Sequence, residues 1–240
     1  MSARIRTTTR RPLYALRQHI LPPTPSQRSK ASWFFHTAEK KYVGAASTAA
    51  ELPEINVPQI VFIGRTNCGK TSLLRALIYG TDNVPSTHII RPSSTPGSTK
   101  DLRFYSLTAP QTQLVLTDLP GYGYGSSSAQ GDAITTFLDA SLNIRMVYVL
   151  IDAGVGVKPS DRRIVSMLDA RAIPWRLVGT KCDKRDVSKR AGTVLAGLLD
   201  ASAAMRNAPD GPDEVLLTSA TAAQGTNELR TAMWRMLVDG

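Results

Sequence analysis

Thiol and imidazole groups are scarce in this chain, with two cysteines and three histidines in 240 residues. Neither Cys68 nor Cys182 has metal-ligand spacing with a histidine, which argues against a zinc site, and two thiols cannot staple a disulfide scaffold. Both thiols sit in loops with ligand-binding patterns, so they are expected in one region. A regulatory disulfide between them is the sharper reading, and two small reduced side chains the plainer one. No apolar run is long enough to suggest a membrane span. Acids are missing from every position before Glu39, and this absence explains the net charge. Residues 1–50 hold nine Lys/Arg against that single acid and carry +8 of the total of +10. The rest of the chain is nearly neutral, so overall basicity is no argument for a nucleic-acid-binding body.

The acid-free N-terminus is rich in Arg, Ser and Thr, with Ile5, Leu13, Leu16, Ile20 and Leu21 spaced among arginines. It lacks the continuous apolar core of a secretory signal and fits a mitochondrial transit peptide. The alternative is a retained basic arm that touches RNA. Pro22-Pro23-Thr24-Pro25 breaks any helix. Trp33-Phe34-Phe35 is unusual for a tail, and either docks on the domain or leaves with the presequence. Residues 1–52 are therefore expected to be an extension, transit peptide plus linker, and residues 53–240 one globular domain. The mitochondrial matrix is the expected location, with another bacterial-type organelle or the cytoplasm as the alternative.

Beyond residue 58 short apolar runs alternate with amphipathic stretches. Strands are expected at 60–63, 102–107, 113–117, 146–151, 175–179 and 214–218, and helices at 70–79, 132–142, 160–171, 187–204 and 225–238. The pair around Ala109-Pro110-Gln111 reads as a hairpin. This pattern predicts an α/β fold: a mostly parallel six-stranded sheet with one antiparallel strand and helices on both faces.

The run Ile60–Ile63 leads into Gly64-Arg65-Thr66-Asn67-Cys68-Gly69-Lys70-Thr71-Ser72, a G-x-x-x-x-G-K-T spacing between a strand and a helix. Glycines let backbone N–H groups ring a phosphate, and the helix N-terminus adds partial positive charge. Lys70 is placed to reach β- and γ-phosphates, and the Thr71 hydroxyl to ligate Mg²⁺. Asp118-Leu119-Pro120-Gly121 follows the strand 113–117. There Asp118 can hold Mg²⁺ through water and Gly121 can offer its N–H to a γ-phosphate. Thr180-Lys181-Cys182-Asp183 follows the strand 175–179. The Asp183 carboxylate can accept from both the ring N–H and the amine of guanine, which adenine cannot match, while the Lys181 stem stacks on the base. Ser219-Ala220 is expected to close the base pocket through backbone N–H groups. In Ser93–Thr99, Thr99 is the candidate second Mg²⁺ hydroxyl ligand, with Thr95 in reserve.

These segments, with Asp118-Leu119-Pro120-Gly121-Tyr122-Gly123-Tyr124-Gly125 as the most specific, resemble the EngB (YihA) family of translation-factor-related GTPases. Asp152-Ala153 and Lys158-Pro159-Ser160-Asp161 add to the likeness, which covers residues 53–240. The resemblance implies a P-loop NTPase (Ras-like) fold, GTP and GDP as substrate and product, Mg²⁺ as cofactor, and a role in large ribosomal subunit assembly. With the presequence it implies the precursor of the mitochondrial large subunit, rRNA and ribosomal proteins, as partner, for a monomeric protein. Thr66 and Cys68 stand where the family usually has Ser and Val, and Ser126-Ser127-Ser128 where its switch is usually basic. Tyr122 stands where many GTPases place a water-orienting glutamine. GTPases resembling this one often use a potassium ion near the phosphate-loop asparagine, here Asn67, which makes K⁺ a candidate cofactor and slow intrinsic hydrolysis the expectation. A nucleotide-holding scaffold with little turnover and an ATP-dependent phosphotransferase are the competing functions.

Overall fold

Runs of Val, Ile and Leu long enough to cross a sheet once, and apolar on both sides, form its interior strands. The computed structural model describes residues 4–8, 11–16, 23–80, 90, 101–123, 127–206 and 214–238. In chain order the elements are β1 (Arg4–Thr8), β2 (Arg11–Leu16), α1 (Pro25–Thr37), β3 (Glu39–Ala46), β4 (Gln59–Gly64) and α2 (Lys70–Tyr79). Then come β5 (Leu102–Ala109), β6 (Thr112–Asp118), α3 (Ser128–Ala140), β7 (Ile144–Asp152), α4 (Pro159–Asp169) and β8 (Trp175–Thr180). The chain closes with α5 (Arg185–Lys189), α6 (Ala191–Met205), β9 (Glu214–Leu217) and α7 (Thr226–Val238).

One sheet in the order β1-β2-β9-β8-β7-β4-β6-β5-β3 contains the nine strands found among the described residues. The pairs β9–β8, β8–β7, β7–β4 and β4–β6 are parallel, and β5 returns antiparallel to β6 through a turn at Pro110-Gln111. All six expected strands are there, and the antiparallel one is β5. The helix expected over 187–204 is two helices, because Arg190 takes φ −124° and ψ 33°, outside the helical region.

Alternate side chains of the strands feed two cores. Val61, Ile63, Val147, Val149, Leu177 and Leu217 pack with Ile134, Phe137, Val165, Leu168 and Leu195 from α3, α4 and α6. Ile60, Phe62, Tyr148, Leu150, Val178 and Leu216 face Leu73, Leu77, Leu229, Met233 and Trp234 of α2 and α7.

The N-terminal boundary differs from the one expected at 52/53. β3 pairs antiparallel with β5 along seven register positions, and α1 lies on α7. Phe34 and Phe35 are fully buried, with Phe34 5.4 Å from the Trp234 ring centroid, while Trp33 stays 55% exposed. Each phenylalanine removed from water contributes about 1.5–3 kcal/mol, so α1 is a structural part of the domain. Thr24 opens α1 with a reciprocal capping box to Gln27, and Pro25 is its first residue, so the proline cluster expected to break a helix begins one. The hairpin β1–β2 adds to the far edge, where β2 pairs antiparallel with β9. No described helix is long and apolar enough to cross a membrane.

Candidate nucleotide site

The carboxyl ends of β4, β6, β8 and β9 converge at one rim of the sheet, where ligands of open parallel sheets bind. β4 ends at Gly64 because the chain turns there against its neighbours. A Cβ at Gly64 would lie 2.6 Å from Cys68 Sγ and 2.9 Å from the Leu150 carbonyl oxygen. The loop curls through left-handed Asn67 (φ 62°) and Gly69 (φ 97°), with Cys68 N–H donating to the Arg65 carbonyl at 3.0 Å. α2 starts at Lys70 with Gly69 as its N-cap, so its first N–H groups open toward the cradle. Lys70 and Thr71 therefore stand where the sequence pattern places them.

Lys70 turns inward. Its Nζ lies 3.2 Å from Asp118 Oδ1, with the side chains 7% and 0% exposed. The contact is close in distance, yet neither Asp118 oxygen has a hydrogen-bond partner of good geometry. A dry carboxylate left this way costs several kcal/mol unless cations surround it. Asp118, with the Thr71 hydroxyl at the helix start, thus fits a hydrated divalent cation, and the donor set is all oxygen, as Mg²⁺ requires. Bound there, Mg²⁺ would neutralise phosphate charge. Thr99 and Thr95, the other candidate hydroxyls, lie outside the described residues, as does Tyr124.

The loop after β8 is stitched to the phosphate loop. The Thr180 hydroxyl donates to the Cys68 carbonyl, at 2.5 Å, with the Ile151 carbonyl 3.2 Å away as the alternative acceptor. Lys181, itself at φ 58°, donates its ammonium to the Asn67 carbonyl and pairs with Asp152 at 3.0 Å. Its stem passes 3.5 Å from where a Gly69 Cβ would be, so it lies across the cradle before any base is present. Lys184 adds a second cation to Asp152, 3.2 Å away. Burial raises the Asp152 carboxyl, but hydrogen bonds from Lys181, the Gly154 N–H and Lys184 outweigh it and hold the group below its usual range.

Asp183 is exposed at the rim and accepts from the Thr221 hydroxyl at 3.2 Å. Partial burial pushes its carboxyl up, while hydrogen bonds from the hydroxyls of Ser219 and Thr221 pull it below the ordinary value. It is an ionised acceptor, as guanine recognition requires. Ser219 contributes differently from the expectation: its N–H donates to the Gln224 carbonyl at 2.8 Å, and its hydroxyl serves Asp183. Ala220 follows at the turn. Ser72 is exposed on the first turn of α2, and Asn67 is exposed at the crest of the loop.

The cysteines do not share a region of the core. Cys68 packs with the α2–α7 side and Cys182 with the α4–α6 side, both buried and neither in a disulfide. Burial pushes the Cys68 thiol up, against the pull of Lys70 and Lys181, so it stays a small protonated filler.

Tyr122 points away from where a water-orienting side chain would work. It is buried, and its hydroxyl donates to Asp161 Oδ1 at 2.7 Å. Asp161 is a partner that sequence reasoning left without a role. Its place three residues after Lys158 marks a helix start, which is a sufficient local explanation of an aspartate there.

The family described as 50S ribosome-binding GTPase matches residues 59–181. The EngB GTP-binding protein of Rhodopseudomonas palustris (strain TIE-1) is 36% identical over 201 residues, covering 82% of this chain and 88% of that one. That of Sinorhizobium medicae (strain WSM419) is 37% identical over 195 residues, covering 76% and 84%. A match to 82% of 240 residues takes in positions upstream of 53, in keeping with the structural role of the α1–β3 segment. An Aquifex aeolicus Era variant bound to GDP and aluminium fluoride shares the fold, with a TM-score of 0.59 at 22% identity over 78% of this chain and 58% of that one. With these matches over most of its length, and with the Lys70–Asp118 pair and Asp183 assembled on one rim beside the phosphate loop, the chain belongs to the EngB family of P-loop GTPases.

Proposed function

We propose that this protein is a GTP-hydrolysing assembly factor of the mitochondrial large ribosomal subunit, with nucleotide state controlling its attachment to the immature particle. The observation that carries the nucleotide part is the stitching of Thr180 and Lys181 onto the phosphate loop, which builds one continuous seat for guanine and triphosphate. The ribosomal part is supported by the matching family's description as 50S ribosome-binding, and by a solved relative, Era, in complex with MgGDPNP and a segment of 16S ribosomal RNA. The acid-free basic N-terminus supports the organelle. Because α1 and β3 complete the folded body, a removable presequence would end before α1, and its loss would take the β1–β2 hairpin from the sheet's edge. Depleting the protein and profiling mitochondrial ribosomal particles tests the reading. Large subunits should fall and precursors accumulate; unaltered large subunits would sink the assembly role and leave the GTPase intact.

Hydrolysis by the isolated protein is expected to be slow, since Tyr122 is engaged with Asp161 and presents no amide to water. Potassium near Asn67 is the proposed electrostatic substitute. GTP turnover measured in K⁺ should exceed that in Na⁺ at equal ionic strength, and equal rates would remove potassium from the scheme. The engaged Tyr122 also favours a second reading, a scaffold that holds nucleotide with little turnover. Single-turnover hydrolysis with and without large-subunit particles separates the two: a scaffold stays slow in both.

A further inference from the structure

Asp161 is a fully buried carboxylate on which three segments converge. Its Oδ2 accepts the Lys158 N–H at 2.6 Å, which is ordinary helix-start capping and uses one oxygen. Its other oxygen accepts the Tyr122 hydroxyl at 2.7 Å and lies 3.3 Å from Nε of Arg65. Arg65, the second residue of the phosphate loop, is held in turn by its donation to the Gly156 carbonyl at 3.0 Å. Tyr122 is fastened to the same loop by its backbone: its N–H reaches the Gly64 carbonyl at 3.4 Å, and its carbonyl accepts the Thr66 N–H at 3.1 Å. Gly121 is thereby pressed onto the loop so closely that a Cβ would lie 3.0 Å from both Cα and Oγ1 of Thr66.

We propose that Asp161 is a positioning residue for the γ-phosphate. By holding Tyr122 and Arg65 together it fixes Gly121 against the phosphate loop, where the Gly121 N–H meets a third phosphate. The proposal rests on the GTPase reading of the site given above. A hydrogen bond to a carboxylate in a dry interior is strong and directional and fixes Tyr122, while Arg65 is held beside the same oxygen by ion pairing, its Nε making no hydrogen bond of good geometry. Burial pushes the Tyr122 hydroxyl pKa up and the Asp161 charge pushes it further, so the phenol stays a donor at every pH at which the protein is handled. GDP has no phosphate to offer Gly121, so the device acts on the triphosphate state alone.

The test compares equilibrium affinities for GTPγS and GDP, together with single-turnover GTP hydrolysis, in the full chain and in Tyr122→Phe, which keeps the ring and removes the hydroxyl. The ratio of GTPγS to GDP affinity and the hydrolysis rate should each fall about tenfold, the size of one hydrogen bond to a charged group, with GDP affinity retained. Asp161→Asn keeps the volume and should move the same ratio in the same direction. The double variant should be no worse than Asp161→Asn alone, since the contact that Tyr122→Phe removes is one of those that Asp161 makes. Parallel loss of both nucleotides would mean general packing and would overturn the proposal, as would a ratio that rises. Absence of binding by the unaltered chain would instead overturn the GTPase assignment itself, and the positioning role with it.

Discussion

Replacing Lys70 with alanine is expected to lower single-turnover GTP hydrolysis by roughly a hundred- to a thousandfold, the usual cost of removing one preorganised charge stabiliser from a phosphoryl-transfer site. The lysine stands at the first position of α2, where the helix N-terminus already favours anions, so its charge adds to a field rather than creating one. A second effect is less obvious. Without nucleotide, Lys70 is the cation beside a fully buried Asp118 whose oxygens have no good hydrogen-bond partner. Deleting one member of a buried pair costs about 3–5 kcal/mol, because the remaining charge is left uncompensated. For a chain of this size that corresponds to a fall of roughly 10 °C in the unfolding midpoint. Thermal unfolding of the nucleotide-free variant would show it. A variant that loses hydrolysis but unfolds at the normal temperature would mean that Asp118 finds another partner, against the arrangement described here.

The second large effect is a change of base. Asp183→Asn should weaken GTP binding by about a hundredfold or more and strengthen binding of xanthosine triphosphate, measured by competition. Two hydrogen bonds to an ionised acceptor are each worth about 1.5–3 kcal/mol when desolvated, and an amide can accept only one of the two guanine protons. Xanthine carries an oxygen where guanine carries the amine, and the asparagine N–H can donate to it. Asparagine also keeps an oxygen for the Thr221 hydroxyl, so the loop should hold its shape. Unchanged GTP affinity would remove Asp183 from base recognition. The sign of the pH effect follows from the depressed carboxyl pKa of Asp183. Its contribution to guanine binding is present at neutral pH and is lost only as pH falls through that lowered value.

The parts of the molecule that could be read from residue order alone are those whose cause is local. Ile60–Ile63 followed by two glycines and a lysine can be only a short strand, a turn and a helix start, and β4, the cradle and α2 follow that order. The strand before Asp118 and the strand before Asp183 were legible for the same reason, being continuous apolar runs ending in a turn. What escaped depends on distant partners. The segment from α1 to β3 was grouped with the extension because the composition before Glu39 is that of a presequence. Its membership in the fold depends on Trp234 and on β5, far along the chain. Asp161 was readable as a helix cap, and nothing near it in sequence points to Tyr122, 39 positions away. Ser219 was expected to offer its N–H, but which of its groups faces Asp183 depends on the turn closed by Gln224.

The stitching by Lys181 ties separate parts of the rim into one structure. The lysine bonds the phosphate loop at Asn67 and the end of β7 at Asp152, while the next residue, Cys182, is tied by its N–H to the Thr218 carbonyl. The phosphate loop, the end of β7 and the strand end before the 220–223 turn thus share one run of contacts, through Lys181 and Cys182, with Thr221 of that turn bonded to Asp183. A displacement of any one of the three strains bonds held by the other two.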